Sequence, residues 1–160
     1  MNKIINIYTD GSSKGNPGPG GYGVFIETFF KNFYYKKVIS EGYRYTTNNR
    51  MELLAVIEGL KRIKRKENIV VFTDSRYIID SVKKKRIFEW EKNNFYKKKN
   101  VDLWKIFIKL FLINSISFQW IKSHNNHFCN DYCDRLSEKA SKKINLQIDY
   151  VYEKINGHLQ

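Results

Sequence analysis

The chain has 160 residues, 42% apolar and 16% aromatic, enough to build one hydrophobic core without disulfide or metal staples. Its net charge is +13 and its pI near 9.7, a balance that favours a polyanionic partner such as nucleic acid. Only two cysteines occur, which excludes a disulfide-dense secreted scaffold, and no stretch approaches the roughly 18 apolar residues of a membrane span.

Met1-Asn2-Lys3 leads almost at once into a strand-like run, without the apolar stretch of a signal peptide, so a cytoplasmic setting is expected. Ile4 to Thr9 reads as a strand from its β-branched content. Asp10 to Gly21 is turn-rich and holds both prolines, Pro17 and Pro19. Tyr22 to Phe30 and Phe33 to Arg44 read as a hairpin. Asn49 to Lys66 carries apolar residues at helical spacing, Met51, Leu54, Val56, Ile57, Leu60 and Ile63. Ile69 to Phe72 is a short apolar strand of the kind buried in the middle of a sheet. A helix is expected from Ser75 to Val82, another over 101–113, a strand over 115–121, and a last helix from Asn130 to Lys143. Strands followed by alternating helix and strand argue for an α/β domain with a mixed sheet. One domain over 1–160 is expected, with about the last ten residues flexible.

Residues 83–99 stand apart. They hold eight basic and two acidic side chains, so +6 of the +13 lies in about a tenth of the chain. The aromatics Phe88, Trp90, Phe95 and Tyr96 interleave with the charge. Lys83, Lys84, Lys85, Arg86, Lys97, Lys98 and Lys99 can follow phosphates while aromatic rings such as Trp90 pack on sugars or bases. The plainer alternative is a solvated helix with one apolar face.

Four acids carry the chemical argument, although each has an ordinary explanation. Asp10-Gly11 suits a turn. Asn49 with Glu52 suits a capping box. Asp74 suits the N-cap of the helix after its strand, and Asp134 suits a helix surface. Position changes the balance, because Asp10 and Asp74 both end strands, where active sites of α/β proteins gather. If those strands are neighbours, the two carboxylates converge. Glu52 lies one turn into a largely apolar helix and should be partly buried. Clustered carboxylates raise one another's pKa unless a cation joins them, and oxygen ligands suit Mg²⁺ or Mn²⁺. Two such ions about 4 Å apart can activate a water and stabilise the leaving oxygen of a phosphodiester.

Several segments together resemble the bacterial-type ribonuclease H family (type 1). They are Tyr8-Thr9-Asp10-Gly11-Ser12, Gly15 to Gly23, Thr46-Thr47-Asn48-Asn49-Arg50-Met51-Glu52-Leu53, Thr73-Asp74-Ser75, Asn100-Val101-Asp102-Leu103-Trp104, Trp120-Ile121-Lys122-Ser123-His124, and Asn130 to Asp134. They span almost the whole chain in the family's order. The resemblance implies a five-stranded mixed sheet with helices on both faces and a basic helical protrusion at 83–99. It implies an endonuclease that cuts the RNA strand of RNA/DNA hybrids with two Mg²⁺ ions, leaving 5′-phosphate and 3′-hydroxyl ends. Asp10, Glu52, Asp74 and Asp134 are similar to the family's metal-binding acids, and His124 to a mobile histidine that assists proton transfer or product release. Asn16, Asn48 and Asn49 match minor-groove contacts, where the 2′-hydroxyl marks RNA. Thr47 matches a residue that grips a DNA-strand phosphate. The implied partner is the hybrid duplex, with no membrane and the protein acting as a monomer.

The departures are specific. The hairpin between Phe25 and Gly42 is about four residues longer than in the best-known bacterial form, and the protrusion about four shorter. The protrusion has one tryptophan, Trp90, with Phe95 and Tyr96 as candidate replacements for aromatic surface. Tyr45 stands where an arginine that contacts phosphate is common. Arg76, a candidate substrate-binding residue, replaces a polar groove-contacting one, which adds charge.

Other readings are weaker. His124, His127, Cys129 and Cys133 lie within ten residues but lack the paired spacing of a zinc site. The glycines of 15–23 form no phosphate-binding loop with a following lysine, and suit a turn and strand entry. A pure hybrid-binding module would not need clustered acids. A junction resolvase or transposase would share the acids but should lack the Thr47-Asn48-Asn49 segment.

Overall fold

The computed structural model describes residues 3–64, 66–123, 125 and 127–159. Strands β1 (Ile4–Ser13), β2 (Gly18–Phe30) and β3 (Phe33–Thr46) form an antiparallel meander. Helix α1 (Asn48–Lys61) leads to β4 (Asn68–Thr73), which pairs parallel to β1. Helix α2 (Arg76–Val82), a 3-10 turn over Lys83–Lys85 and helix α3 (Arg86–Lys92) follow. Helix α4 (Val101–Ile113) then leads into β5 (Ser115–Trp120), parallel to β4, and the chain closes with α5 (Phe128–Ser141) and α6 (Tyr150–Ile155). The sheet order is β3-β2-β1-β4-β5, the five-stranded mixed sheet expected from the resemblance.

Period-two alternation sorts the strands between two cores. Ile5 and Ile7 of β1 and Val24 and Ile26 of β2 join Met51, Leu53 and Ile57 of α1 and Trp104 and Phe107 of α4 in the larger one. Tyr8 and Phe25 face the opposite way, where Cys133 of α5 meets them. Helices therefore cover both faces.

The strands run further toward the site than the sequence suggests. β1 continues through Asp10 to Ser13, and Gly18 to Gly21 are strand rather than turn. Their glycines explain the difference. A Cβ at Gly23 would lie 2.4 Å from the Cys133 carbonyl oxygen, so α5 rests directly on the strand backbone and only hydrogen fits between them. That stripe is legible as glycine-rich but not as a helix seat.

Two further differences concern the ends of elements. α1 is capped by Thr47, whose Oγ1 accepts from the Arg50 N–H at 3.2 Å, so the cap is not Asn49. The stretch after 143 carries α6. Asp149 and Glu153 tie it to Arg50 and Arg44, and Gln147 bridges to Tyr43.

Candidate active site and nucleic-acid interface

β1 and β4 lie side by side, and their last parallel pair is Tyr8 with Phe72. Two residues beyond it stand Asp10, still inside β1 rather than at its end, and Asp74, just past the end of β4, and their carboxylates converge. α1 crosses over this end and brings Glu52. Its approach depends on Gly11, where a Cβ would sit 2.3 Å from the Glu52 backbone nitrogen. The Asp10-Gly11 pair is thus strand and close contact rather than a turn.

One oxygen from each of Asp10, Glu52 and Asp74 lies within 4.8 Å of the other two. Asp10 and Glu52 are buried, each 5% exposed, and Asp74 is half-buried. The Gly11 N–H donates to Asp10 Oδ1 at 2.9 Å. Ser123 Oγ donates to Asp74 Oδ2 at 2.8 Å, and Trp120 Nε1 donates to the Asp74 carbonyl at 3.2 Å, so the second strand end is held from β5 and the loop after it. Among the described residues, Glu52 Oε2 is buried without any hydrogen-bond partner. Asp134, on α5 and half-buried, stands outside the group of three, yet its charge reaches Asp10.

The electrostatics follow from crowding. Burial, then the charges of Asp74 and Asp134, push the Asp10 carboxyl up to about 8. Burial, then Asp10 and Asp74, hold Glu52 well above the usual carboxylate range. Three carboxylates in one space, one with an unsatisfied buried oxygen, are costly as they stand. They suit a hard divalent cation, which needs oxygen donors and would offset their repulsion.

Beside the acids, Asn16, Thr47, Asn49, Lys98, Lys99 and Tyr152 line a cleft of about 540 Å³, with Arg50 at its base. Asn16 Oδ1 accepts from the Asn48 N–H at 3.1 Å, which joins the loop after β1 to the start of α1. Lys98 and Lys99 also line a neighbouring groove with Arg86 and Trp90. Lys83, Lys84, Lys85, Arg86, Lys97, Lys98 and Lys99 are all exposed. Trp90 is half-buried, set edge-on to Trp104 with Lys98 Nζ 4.6 Å from its ring centre. Phe95, an expected surface aromatic, is instead 5% exposed within the core, while Tyr96 is 71% exposed. The protrusion turns back onto the domain through apolar contacts, and Phe95 joins Ile87 and Phe88 in making them.

His124 lies outside the described residues, so its position relative to the acids is not described. Cys133 is buried and its thiol donates to the Tyr8 carbonyl at 3.3 Å, and among the described residues the acidic trio is the only metal-suited group. Sequence reasoning missed one support of the site, the pair of carboxylates, Asp102 and Asp149, around Arg50; the Asp102 segment is legible only as part of the resemblance. Arg76, singled out in the sequence, has its guanidinium 3.9 Å over the Trp120 ring, a contact the sequence does not show.

Comparison with known proteins agrees with this geometry. The family model described as RNase H matches residues 2–142. A ribonuclease H of Desulforamulus reducens is 43% identical over 92% of this chain and 93% of its own. One from Helicobacter acinonychis is 46% identical over 87% of this chain and 94% of its own. Among solved structures, LC9-RNase H1, described as a type 1 RNase H with the type 2 active-site motif, superposes with a TM-score of 0.78 at 27% identity, covering 88% of this chain and 73% of that one. LC11-RNase H1, solved in complex with an RNA/DNA hybrid, gives 0.57 at 28% identity, covering 85% and 95%.

Proposed function

The chain belongs to the RNase H family, and on that premise we propose that it hydrolyses the RNA strand of RNA/DNA hybrids by two-metal-ion catalysis, leaving 5′-phosphate and 3′-hydroxyl ends. The observation that carries this reading is the trio Asp10, Glu52 and Asp74, gathered from three elements within 4.8 Å. Asp10, Glu52, Asp74 and Asp134 are the residues that would hold Mg²⁺, with Mn²⁺ as an alternative. Bound there, two such ions would supply an activated water and neutralise charge at the leaving oxygen.

The chain's own residues do the rest. Asp10 and Glu52, whose proton affinity is raised by burial and mutual repulsion, would have to be ionised to hold a cation, which would relieve that repulsion. Ser123 fixes one Asp74 oxygen and leaves the other free to ligate. Asn16, Asn48 and Asn49 read the minor groove, and Thr47 holds a phosphate of the DNA strand. The basic side chains of 83–86 and 97–99 draw in the backbone of the duplex. His124 moves a proton or helps product leave.

The test is cleavage of labelled RNA/DNA, RNA/RNA and DNA/DNA duplexes with Mg²⁺, with EDTA, and with Asp74→Asn. Cutting of RNA in the hybrid alone is expected, and none with EDTA. Metal-independent cutting, or full activity in Asp74→Asn, would refute the mechanism. Tight binding with no cutting would point to a binding module. Combining Lys97→Glu, Lys98→Glu and Lys99→Glu should weaken hybrid binding and reduce its salt slope by about 0.9 per lost phosphate contact. An unchanged affinity would remove the protrusion from the interface.

A further inference from the structure

Arg76 is the first residue of α2, two positions after Asp74. An exposed arginine is usually mobile and solvated, and this one is exposed. Two observations set it apart. Its guanidinium lies 3.9 Å over the centre of the Trp120 ring, while Trp120 donates its indole N–H to the Asp74 carbonyl at 3.2 Å. The ring that fixes the arginine is therefore itself fixed to the backbone of an acid in the site. Among the described residues, no carboxylate pairs with Arg76, unlike Arg44 and Arg50.

The consequence is chemical. A guanidinium stacked on an indole loses water from one face and keeps its N–H edge directed away from the ring. That edge matches two phosphate oxygens at once, with less side-chain entropy to lose than in a free arginine. The neighbouring trio of acids repels a phosphodiester, so a fixed cation beside it compensates where the backbone must come closest.

We propose that Arg76, held by Trp120, is a phosphate-binding residue that grips the nucleic-acid backbone next to the acidic cluster, independently of base sequence. This rests on the reading of the protein as a nuclease acting on RNA/DNA hybrids and adds a contact that sets affinity. Its chemistry also has a cost. Phosphates are common to all duplexes, so Arg76 strengthens binding to hybrid and to DNA alike and leaves discrimination to other residues.

The experiment measures binding of a labelled RNA/DNA hybrid and of a DNA/DNA duplex of the same sequence in EDTA, across a salt series, for wild type, Arg76→Gln and Arg76→Lys. Arg76→Gln should weaken binding of both duplexes by the same factor, about tenfold at low salt. Its salt slope should fall by about 0.9, the value for one phosphate contact. Arg76→Lys should restore the slope while recovering only part of the affinity, because an ammonium neither stacks flat nor bonds two oxygens in a fork. An unchanged slope in Arg76→Gln overturns the proposal. So does a loss confined to hybrid, which would mean reading of the 2′-hydroxyl, or one confined to a particular base, which would mean base contact. Circular dichroism checks that both variants keep the fold. A wild type that cuts no hybrid would refute the functional reading instead, and that outcome is separate from the Arg76 binding result.

Discussion

Asp10→Asn is expected to stabilise the metal-free protein while nearly abolishing hybrid cleavage. The stability half follows from the raised Asp10 pKa, about 8 against an ordinary 3.8. A carboxyl whose native pKa lies above its unfolded value penalises the fold once ionised. The penalty is absent below pH 3.8, grows between pH 3.8 and about 8, and is constant above. Asparagine keeps the shape and can still accept the Gly11 N–H, but carries no charge. A tenfold change in proton affinity corresponds to about 1.4 kcal/mol. Because Asp10 and Glu52 relieve each other, a gain on the order of 2 kcal/mol is the expected scale at pH 8. In a chain of this size that raises the unfolding midpoint by about 5 °C. The gap between variant and wild type should shrink toward pH 4, and added Mg²⁺ should narrow it by stabilising the wild type. The activity half follows from losing a ligand worth several kcal/mol of charge stabilisation, about a 10³-fold drop in kcat. Thermal scans with EDTA at pH 4.5 and pH 8, with a cleavage assay beside them, check both halves. Equal midpoints at pH 8 would mean the acids are not in electrostatic conflict.

The same conflict explains why this site is legible in the chain's own sequence. Acids placed after two apolar strand-like runs, with a third in a helix, form a pattern that chain position reveals, and β1 and β4 do pair in parallel, although β1 continues past Asp10. What position could not reveal is approach. Gly11 reads as half of a turn, yet its missing side chain is what lets α1 bring Glu52 against β1. Gly23 reads as a strand entry, yet it seats α5, and with it Asp134. Both are contacts between segments distant in sequence, and no local window contains them. Phe95 misleads for a related reason. It sits among lysines and asparagines, so its neighbours in sequence suggest a surface, while its neighbours in space are Ile87 and the α4 core. The basic character of 83–99 needed no spatial information, since charge there is set by composition and each lysine remains exposed.

Arg50→Ala should cost about 3–5 kcal/mol of stability. Arg50 is 3% exposed and meets two carboxylates from distant parts of the chain. Its Nε and Nη2 donate to Asp149 at 2.7 and 2.8 Å, and its Nη1 and Nη2 donate to Asp102 at 2.9 and 2.8 Å. Thr46 Oγ1 donates to Asp149 Oδ2 at 2.8 Å. One guanidinium therefore joins α1, α4 and the segment entering α6. Removing it leaves two carboxylates facing each other in a site with little water, which is why the loss should far exceed that of an exposed pair. A drop of about 10 °C in the unfolding midpoint is the expected scale. The acid limb gives a second readout. Hydrogen bonds from Arg50, with its charge, outweigh burial and lower the Asp102 pKa below 3.8. That contribution is present above pH 3.8 and is lost as pH falls through the native value, so the variant should lack it. The control combines Arg50→Met, Asp102→Leu and Asp149→Leu. If the triad acts by mutual compensation, the triple variant should be much more stable than Arg50→Ala. It should still bind hybrid less well, because Arg50 stands at the base of the cleft that Thr47 and Asn49 line. A triple variant no more stable than the single one would mean that packing around Arg50, rather than its charge, holds the start of α1 in place.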